Sequence, residues 1–253
     1  MRFVVDITDH CNLRCKGCDA FAPLADKYCL DPATFEKDCA RIAELTRGKL
    51  EFLSLLGGEP LLHEQCADFF IIARKYFKNT LLLLWTNGII LAKQSENFWK
   101  TAKETQVKLM ITKYPINLNY GELEKLAKTH NVPLSYVGDR TNGMFKRPFD
   151  LAGKQDYRES FRGCKAENDC ITLREGKLYV CDVIAKTPIF NKFFHQNLTI
   201  TEKDCIDIYK AKSLDEILTF LYSPSPFCRY CKVKETGNGL QWAPSKKMLS
   251  EWI

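Results

Sequence analysis

The sequence predicts an α/β fold: a parallel sheet curled into a partial or complete (β/α) barrel, followed by a small α+β unit. Three observations carry this. Short runs of branched and aromatic residues alternate five times with helical patterns, a polar stretch ends the alternation, and a hairpin signal with a late group of cysteines follows it.

The strand-like runs are residues 3–7, 50–56, 81–85, 107–112 and 132–137, each short and rich in apolar residues, as buried strands are. Between the first two lies a helix with Asp31 as cap and Pro32 at its first position. Phe35, Cys39, Ile42 and Leu45 share one face, and the helix ends near Gly48. Residues 64–77, 94–105 and 120–129 have similar helical character. Strand alternating with helix implies right-handed crossovers.

From 139 to 162 the chain turns polar and irregular, with Gly143, Pro148 and Gly153. This divides it into a barrel core at 1–138, a bridge at 139–163 that can complete the barrel, and a small unit at 164–253. In that unit residues 171–174 and 177–180 flank Glu175-Gly176, a two-residue hairpin turn needing positive φ. A later helix opens at Ser213 with Glu216 three residues on, a capping box, and turns Leu214, Ile217, Leu218 and Leu221 inward.

Composition narrows the functional classes. A chain of 253 residues allows one or two domains at roughly 150 residues each, and 45% hydrophobic with 27% charged residues reads as globular. No apolar run approaches the roughly 20 residues of a membrane span, and the apolar start at Phe3 is too short for a secretory signal. A cytoplasmic protein is expected. The charge of +6 contains no block of like charges, so nucleic acid is not an expected partner, whereas anionic or nucleotide-linked small molecules are compatible.

Twelve cysteines in a reducing compartment point to metal or catalysis rather than disulfides. Cys11, Cys15 and Cys18 follow the first strand, at the sheet edge where α/β proteins place their sites. On spacing alone they suit a structural zinc, with His10 or Asp19 as fourth ligand, or an iron–sulfur cluster with one open iron. Cys39 is most simply a core residue, with Cys66 and Cys205 read the same way, while Cys29 lies in a loop that can face the site.

Cys11-Asn-Leu-Arg-Cys15-Lys-Gly-Cys18 resembles the C-x₃-C-x₂-C pattern of the radical S-adenosylmethionine (SAM) superfamily, in that family's position after strand one. Gly57-Gly58-Glu59-Pro60 ends the second strand, where the family holds the methionine amino group of SAM, and Thr86-Asn87-Gly88 ends the third, matching a segment near its ribose. Gly17 departs from the family, many members of which carry an aromatic residue there against the adenine. The resemblance implies a partial (β/α)6-type barrel, a [4Fe-4S] cluster on the three cysteines, SAM bound by Gly57, Gly58, Glu59, Pro60, Thr86, Asn87 and Gly88, and a flavodoxin- or ferredoxin-type electron donor.

Cys164, Gly176, Cys181, Cys228 and Cys231 are spaced like the auxiliary-cluster modules called SPASM and, in short form, twitch. This implies a second [4Fe-4S] cluster on Cys164, Cys181, Cys228 and Cys231; a four-cysteine zinc site is the alternative on spacing. The layout is similar to that of 2-deoxy-scyllo-inosamine dehydrogenases. Trp242-Ala-Pro-Ser245 and the Cys-Lys-Gly-Cys-Asp start are reminiscent of small family members of surface-glycan and polyol pathways. A fully ligated second cluster suits an electron carrier. The implied reaction is therefore oxidation of a secondary alcohol of a small polar substrate such as a sugar, polyol or cyclitol. By location Lys113, Tyr114 and Arg147 are candidates for the base. A second reading is carbon epimerisation, with Cys29 or Cys170 returning a hydrogen atom. A third, of another class, is a zinc-stabilised binding module without catalysis.

Overall fold

A computed structural model describes residues 1–164 and 171–253 of the chain. Strand β1 (Arg2–Thr8) leads to helix α1 (Pro32–Thr46), then β2 (Phe52–Gly57), α2 (Cys66–Tyr76), β3 (Leu81–Thr86), α3 (Glu96–Glu104), β4 (Val107–Lys113), α4 (Tyr120–Thr129) and β5 (Leu134–Asp139). These are the five strands and four intervening helices read from the sequence. The Asp31 carboxylate accepts from Thr34 N–H with Pro32 at the first position, and α1 ends where Arg47 turns left-handed at φ 54°. Ser95 and Asn119 cap α3 and α4 in the same way.

The remaining elements are β6 (Met144–Lys146), α5 (Tyr157–Gly163), β7 (Ile171–Arg174), β8 (Lys177–Tyr179), α6 (Asp182–Phe194), β9 (Cys205–Asp207), α7 (Leu214–Leu221) and β10 (Gly237–Leu240). The hairpin turn lies at Glu175 and Gly176, with φ 51° and 73°, and pairs Arg174 with Lys177. Ser213 caps α7 by accepting from Glu216 N–H, but the Glu216 carboxylate accepts from Lys212 N–H, one residue before the cap. Ile217 and Leu221 of α7 are buried, while Leu214 and Leu218 are only partly so.

Eight strands form one sheet in the order β5-β4-β3-β2-β1-β7-β8-β9. Every pairing from β5 to β7 is parallel, and β8 and β9 are antiparallel. Six parallel strands therefore exist, but the sixth, β7, lies beside β1 and not beyond β5. The bridge at 139–163 supplies none of them: its β6 pairs with β10 in a separate two-stranded sheet. The sheet thus runs unbroken across the division expected at residue 164. Flanked on both edges, β1 is buried on both faces from Phe3 to Thr8.

Under the sheet's far end an aromatic cluster ties distant segments together. Phe21 of the first cysteine loop, Phe149 of the bridge and Phe190 of α6 have centroids 5.0–6.0 Å apart, and Trp252 packs 6.4 Å from Phe21. Among the described residues no helix is long and apolar enough to cross a membrane.

Candidate active site

The carboxyl ends of β1, β2, β3 and β4 converge on an open cleft of about 300 Å³. Cys11, Cys15 and Cys18 line one wall, Gly57 and Gly58 a second, and Trp85, Thr86, Asn87 and Tyr114 a third. Arg140, Arg147, Asp19 and Asp182 close the remainder with charge.

The two glycines have a local reason. Gly57 stands at φ 134°, and a Cβ there would lie 2.0 Å from the Thr8 carbonyl oxygen; one on Gly58 would lie 2.2 Å from that of His10. Gly58 N–H donates to Thr8 O at 2.7 Å and Glu59 N–H to His10 O at 2.8 Å. The end of β2 is therefore pressed backbone to backbone against the segment that enters Cys11. From β3, Asn87 reaches the same loop, its side-chain amide donating to Asn12 Oδ1 at 2.7 Å.

Glu59 does not line the cleft. Its carboxylate is buried and accepts from Thr86 Oγ1 at 2.6 Å, Asn87 N–H at 2.8 Å and Leu61 N–H at 3.2 Å, clasping β3 to β2. Burial raises its pKa to about 7 in spite of these donors. Pro60 is buried beside it, and Gly88, at φ 78°, packs against Leu123. Neither is on the cleft wall.

The remaining sequence candidates separate. Tyr114 is in the cleft, its backbone N–H donating to Tyr120 Oη at 2.9 Å. Lys113 is off the wall, with its ammonium 4.0 Å from the centre of the Tyr136 ring. Cys29 is exposed, its sulfur 3.8 Å from Thr8 Oγ1, and it is not on the cleft wall, although Asp19, Ala20 and Ala22 of the same loop are. Cys170 lies outside the described residues. Cys39 and Cys66 are buried, whereas Cys205 on β9 is only partly buried.

A second, much smaller cavity shares the Arg147 wall with the first. Cys164, Cys181, Cys228 and Cys231 all line it, with Phe161, Val183, Ile184 and Phe227 as apolar walls. Among the described residues no three or more His, Cys, Asp or Glu side chains close on a point as the ligands of one metal ion do. The four thiols instead surround a space. Arg147 lines both cavities and donates to Cys181 Sγ at 3.3 Å. Burial opposes its charge, but Cys181, Asp19, Cys164 and Cys231 more than offset that and hold it above its ordinary pKa.

Burial pushes the Cys11, Cys18 and Cys231 thiols up to about 12 and raises Cys15, Cys181 and Cys228 as well. Thiols held that high are protonated at neutral pH, so soft metal centres that take thiolate must displace their protons. Both donor sets fit iron–sulfur centres: all-sulfur ligands, a three-thiol set beside an open cleft and a four-thiol set enclosing a cavity.

The sequence singled out the thiols and glycines but did not assign Asp19 and Asp182 to a cleft or notice Arg140. Asp182 carried a signal in its place beside Cys181. It is 3.3 Å from Lys186 Nζ, which is itself fully buried and also meets Asp6 at 2.7 Å.

The chain was compared with known proteins. The family model described as a 4Fe-4S single cluster domain matches residues 1–127. Among curated relatives, GTP 3',8-cyclase of Campylobacter fetus subsp. fetus (strain 82-40) is 28% identical over 92 residues, 36% of this chain and 29% of that protein. That of Helicobacter pylori (strain HPAG1) is 33% identical over 98 residues, 38% of this chain and 30% of that protein. The match thus spans less than a third of either relative. Among solved structures, BtrN in complex with AdoMet and 2-DOIA superposes with a TM-score of 0.59 at 17% identity, covering 91% of this chain and 92% of that one. Native anSMEcpe with bound AdoMet gives 0.54 at 13% identity, covering 95% and 94%. At these identities the likeness is one of fold.

Proposed function

The chain belongs to the family described as a 4Fe-4S single cluster domain, within the radical SAM superfamily, and from that premise we propose that it oxidises a secondary alcohol of a small polar substrate to a ketone. Bound at the two thiol sets and in the cleft, two [4Fe-4S] clusters and SAM would supply one-electron chemistry: reductive cleavage of SAM to a 5'-deoxyadenosyl radical, hydrogen-atom abstraction from the carbinol carbon, and acceptance of the electron left behind.

The observation that carries the reading is the contiguity of the two cavities. Cys181 lines the second one, its neighbour Asp182 lines the cleft, and Arg147 lines both. A substrate held against Arg147 and Asp182 would lie next to the set whose four thiols leave no open ligand position. That favours an electron acceptor over a second substrate site.

The chain's own groups then divide the work. Gly57 and Gly58 leave the second wall free of side chains, and Trp85 and Tyr114 offer aromatic faces for adenine. Glu59 acts at one remove, holding Thr86 and Asn87 in place. Arg147, kept cationic, orients the hydroxyl and does not accept its proton. Lys113 is too far round the sheet to do so. The proton acceptor is then a cleft carboxylate, Asp19 or Asp182; burial raises Asp19 above its ordinary pKa, toward the range of an effective base. Mixed charge on the wall suits a polyol, aminocyclitol or nucleotide-linked sugar. Cys29, which is not on the cleft wall, gives the epimerase reading no support. The cyclisation named for the curated relatives is not carried over, because the match covers so little of them.

The test is iron, sulfide and zinc per chain in anaerobically purified protein and in Cys11→Ala/Cys15→Ala/Cys18→Ala. Two four-iron clusters predict about eight irons falling to about four, and polyols and nucleotide sugars are then screened for ketone formation with consumption of SAM. One zinc retained in the triple variant would remove the electron acceptor and, with it, the oxidation.

A further inference from the structure

We propose that Trp242 sets the reduction potential of the cluster held by Cys15, as part of a C-terminal strap drawn across the cluster loop. The inference rests on the reading of Cys11, Cys15 and Cys18 as cluster ligands.

Residues 242–252 return from β10 to the first cysteine loop and pair with it. Lys16 N–H donates to Ala243 O at 2.8 Å, Ser245 N–H to Arg14 O at 2.6 Å, and Cys15 faces Pro244 in an antiparallel bridge. The strap is folded on itself by Glu251, a buried carboxylate that accepts from Ser245 Oγ at 2.6 Å and Lys246 N–H at 2.7 Å. It is anchored at its end by Trp252, whose indole donates to Cys18 O at 3.0 Å.

The loop has been shaped to receive it. Gly17 stands at φ 62°, and a Cβ there would lie 2.9 Å from Leu240 Cδ2 and 3.0 Å from Glu251 O. The aromatic residue found at this position in the resembling family has no room here, because the chain's own C-terminal segment occupies the space.

At the centre of this contact Trp242 Nε1–H donates to Cys15 Sγ at 3.2 Å. Its ring lies 6.4 Å from that of Tyr114. A ligand sulfur carries more negative charge when the cluster is reduced, so a donor fixed on it favours the reduced state and moves the potential upward. The indole is oriented by the strap's backbone pairing with the loop. Trp242 is on this view a positioning residue: it acts on the cluster through Cys15 and touches no substrate.

The experiment is an EPR-monitored redox titration of anaerobically reconstituted wild type and Trp242→Phe, following the reduced-cluster signal that changes when SAM is added. Phenylalanine keeps an aromatic ring and removes the N–H. The expected result is unchanged iron content and a fall of about tenfold in the reduced-to-oxidised ratio at fixed potential, a negative shift of about 59 mV for one electron. An unchanged potential would overturn the proposal and leave Trp242 a packing residue. Because the variant can fail to fold, wild type labelled with 15N-tryptophan is measured as well. A hyperfine coupling from the reduced cluster to an indole nitrogen is expected, and its absence would overturn the proposal. Wild type without iron on the Cys11 set would overturn the cluster reading itself, an outcome distinct from both.

Discussion

Gly58 has no room for even a methyl group, since a Cβ would stand 2.2 Å from the His10 carbonyl oxygen. Gly58→Ala should force β2 away from the segment entering Cys11 and lower stability by about 2–3 kcal/mol, as overpacking does; urea denaturation measures it, and a loss below 0.5 kcal/mol would show that the two backbones part easily. Glu59 makes a prediction of opposite character, in pH. Its pKa is raised from 4.5 to about 7 by burial. Between those values the folded chain keeps a proton that the unfolded chain releases, so the stability this group contributes below pH 4.5 is lost as pH rises to 7. Glu59→Gln has no such titration. Its melting temperature should gain on that of wild type from pH 5 to pH 7, and parallel curves would show that the carboxylate does not titrate there. Both glycines and the cysteine spacing were legible as motifs. The inward turn of Glu59 was not, because the groups that hold it are a hydroxyl and backbone N–H groups on another strand.

At the scale of elements, what was legible followed from local periodicity, and what was missed depended on long-range pairing. The hairpin turn at Glu175-Gly176 is written in its two residues. Helix α6 is not: Pro188 interrupts it, and Val183, Ile184, Ala185 and Phe190 leave no clean polar face. Its burial also includes a cation. Lys186 is fully buried and meets Asp6 at 2.7 Å across the sheet, beside a second ion pair in which Arg174 forks onto Asp9 at 2.8 and 2.9 Å. Removing one partner strands the other in an apolar interior. Lys186→Met should therefore cost about 3–5 kcal/mol, and Asp6→Asn in the same chain should recover much of it. If the double variant were as unstable as the sum of the singles, the pair would not be coupled.

For the whole molecule, the five strands of the alternation and the hairpin pair were readable, whereas β6, β9, β10 and the order of the strands were not. Nothing in residues 171–174 announces that they will pair with β1, because an unpaired sheet edge has no signature of its own in the sequence. Yet β7 joins β1 in parallel, and the strap returns to the loop that follows β1. The sheet therefore spans the expected division between a barrel core and a C-terminal unit. A fragment of residues 1–163 should lose the covered edge of β1 and the cover of Cys15 together. Expressed alone it should aggregate or, if kept in solution, fail to retain iron; a monomeric, iron-retaining fragment would contradict this.

Because the strap lies more than two hundred residues after the cysteine loop it covers, it leaves the ribosome well after that loop. Until residues 242–252 emerge, Cys15 has no indole over it and the Gly17 loop has nothing to close against. Translation itself thus delays the finished cofactor site: the thiols of this loop are made well before the segment that shelters them, and a chain interrupted between the two leaves them open to oxygen.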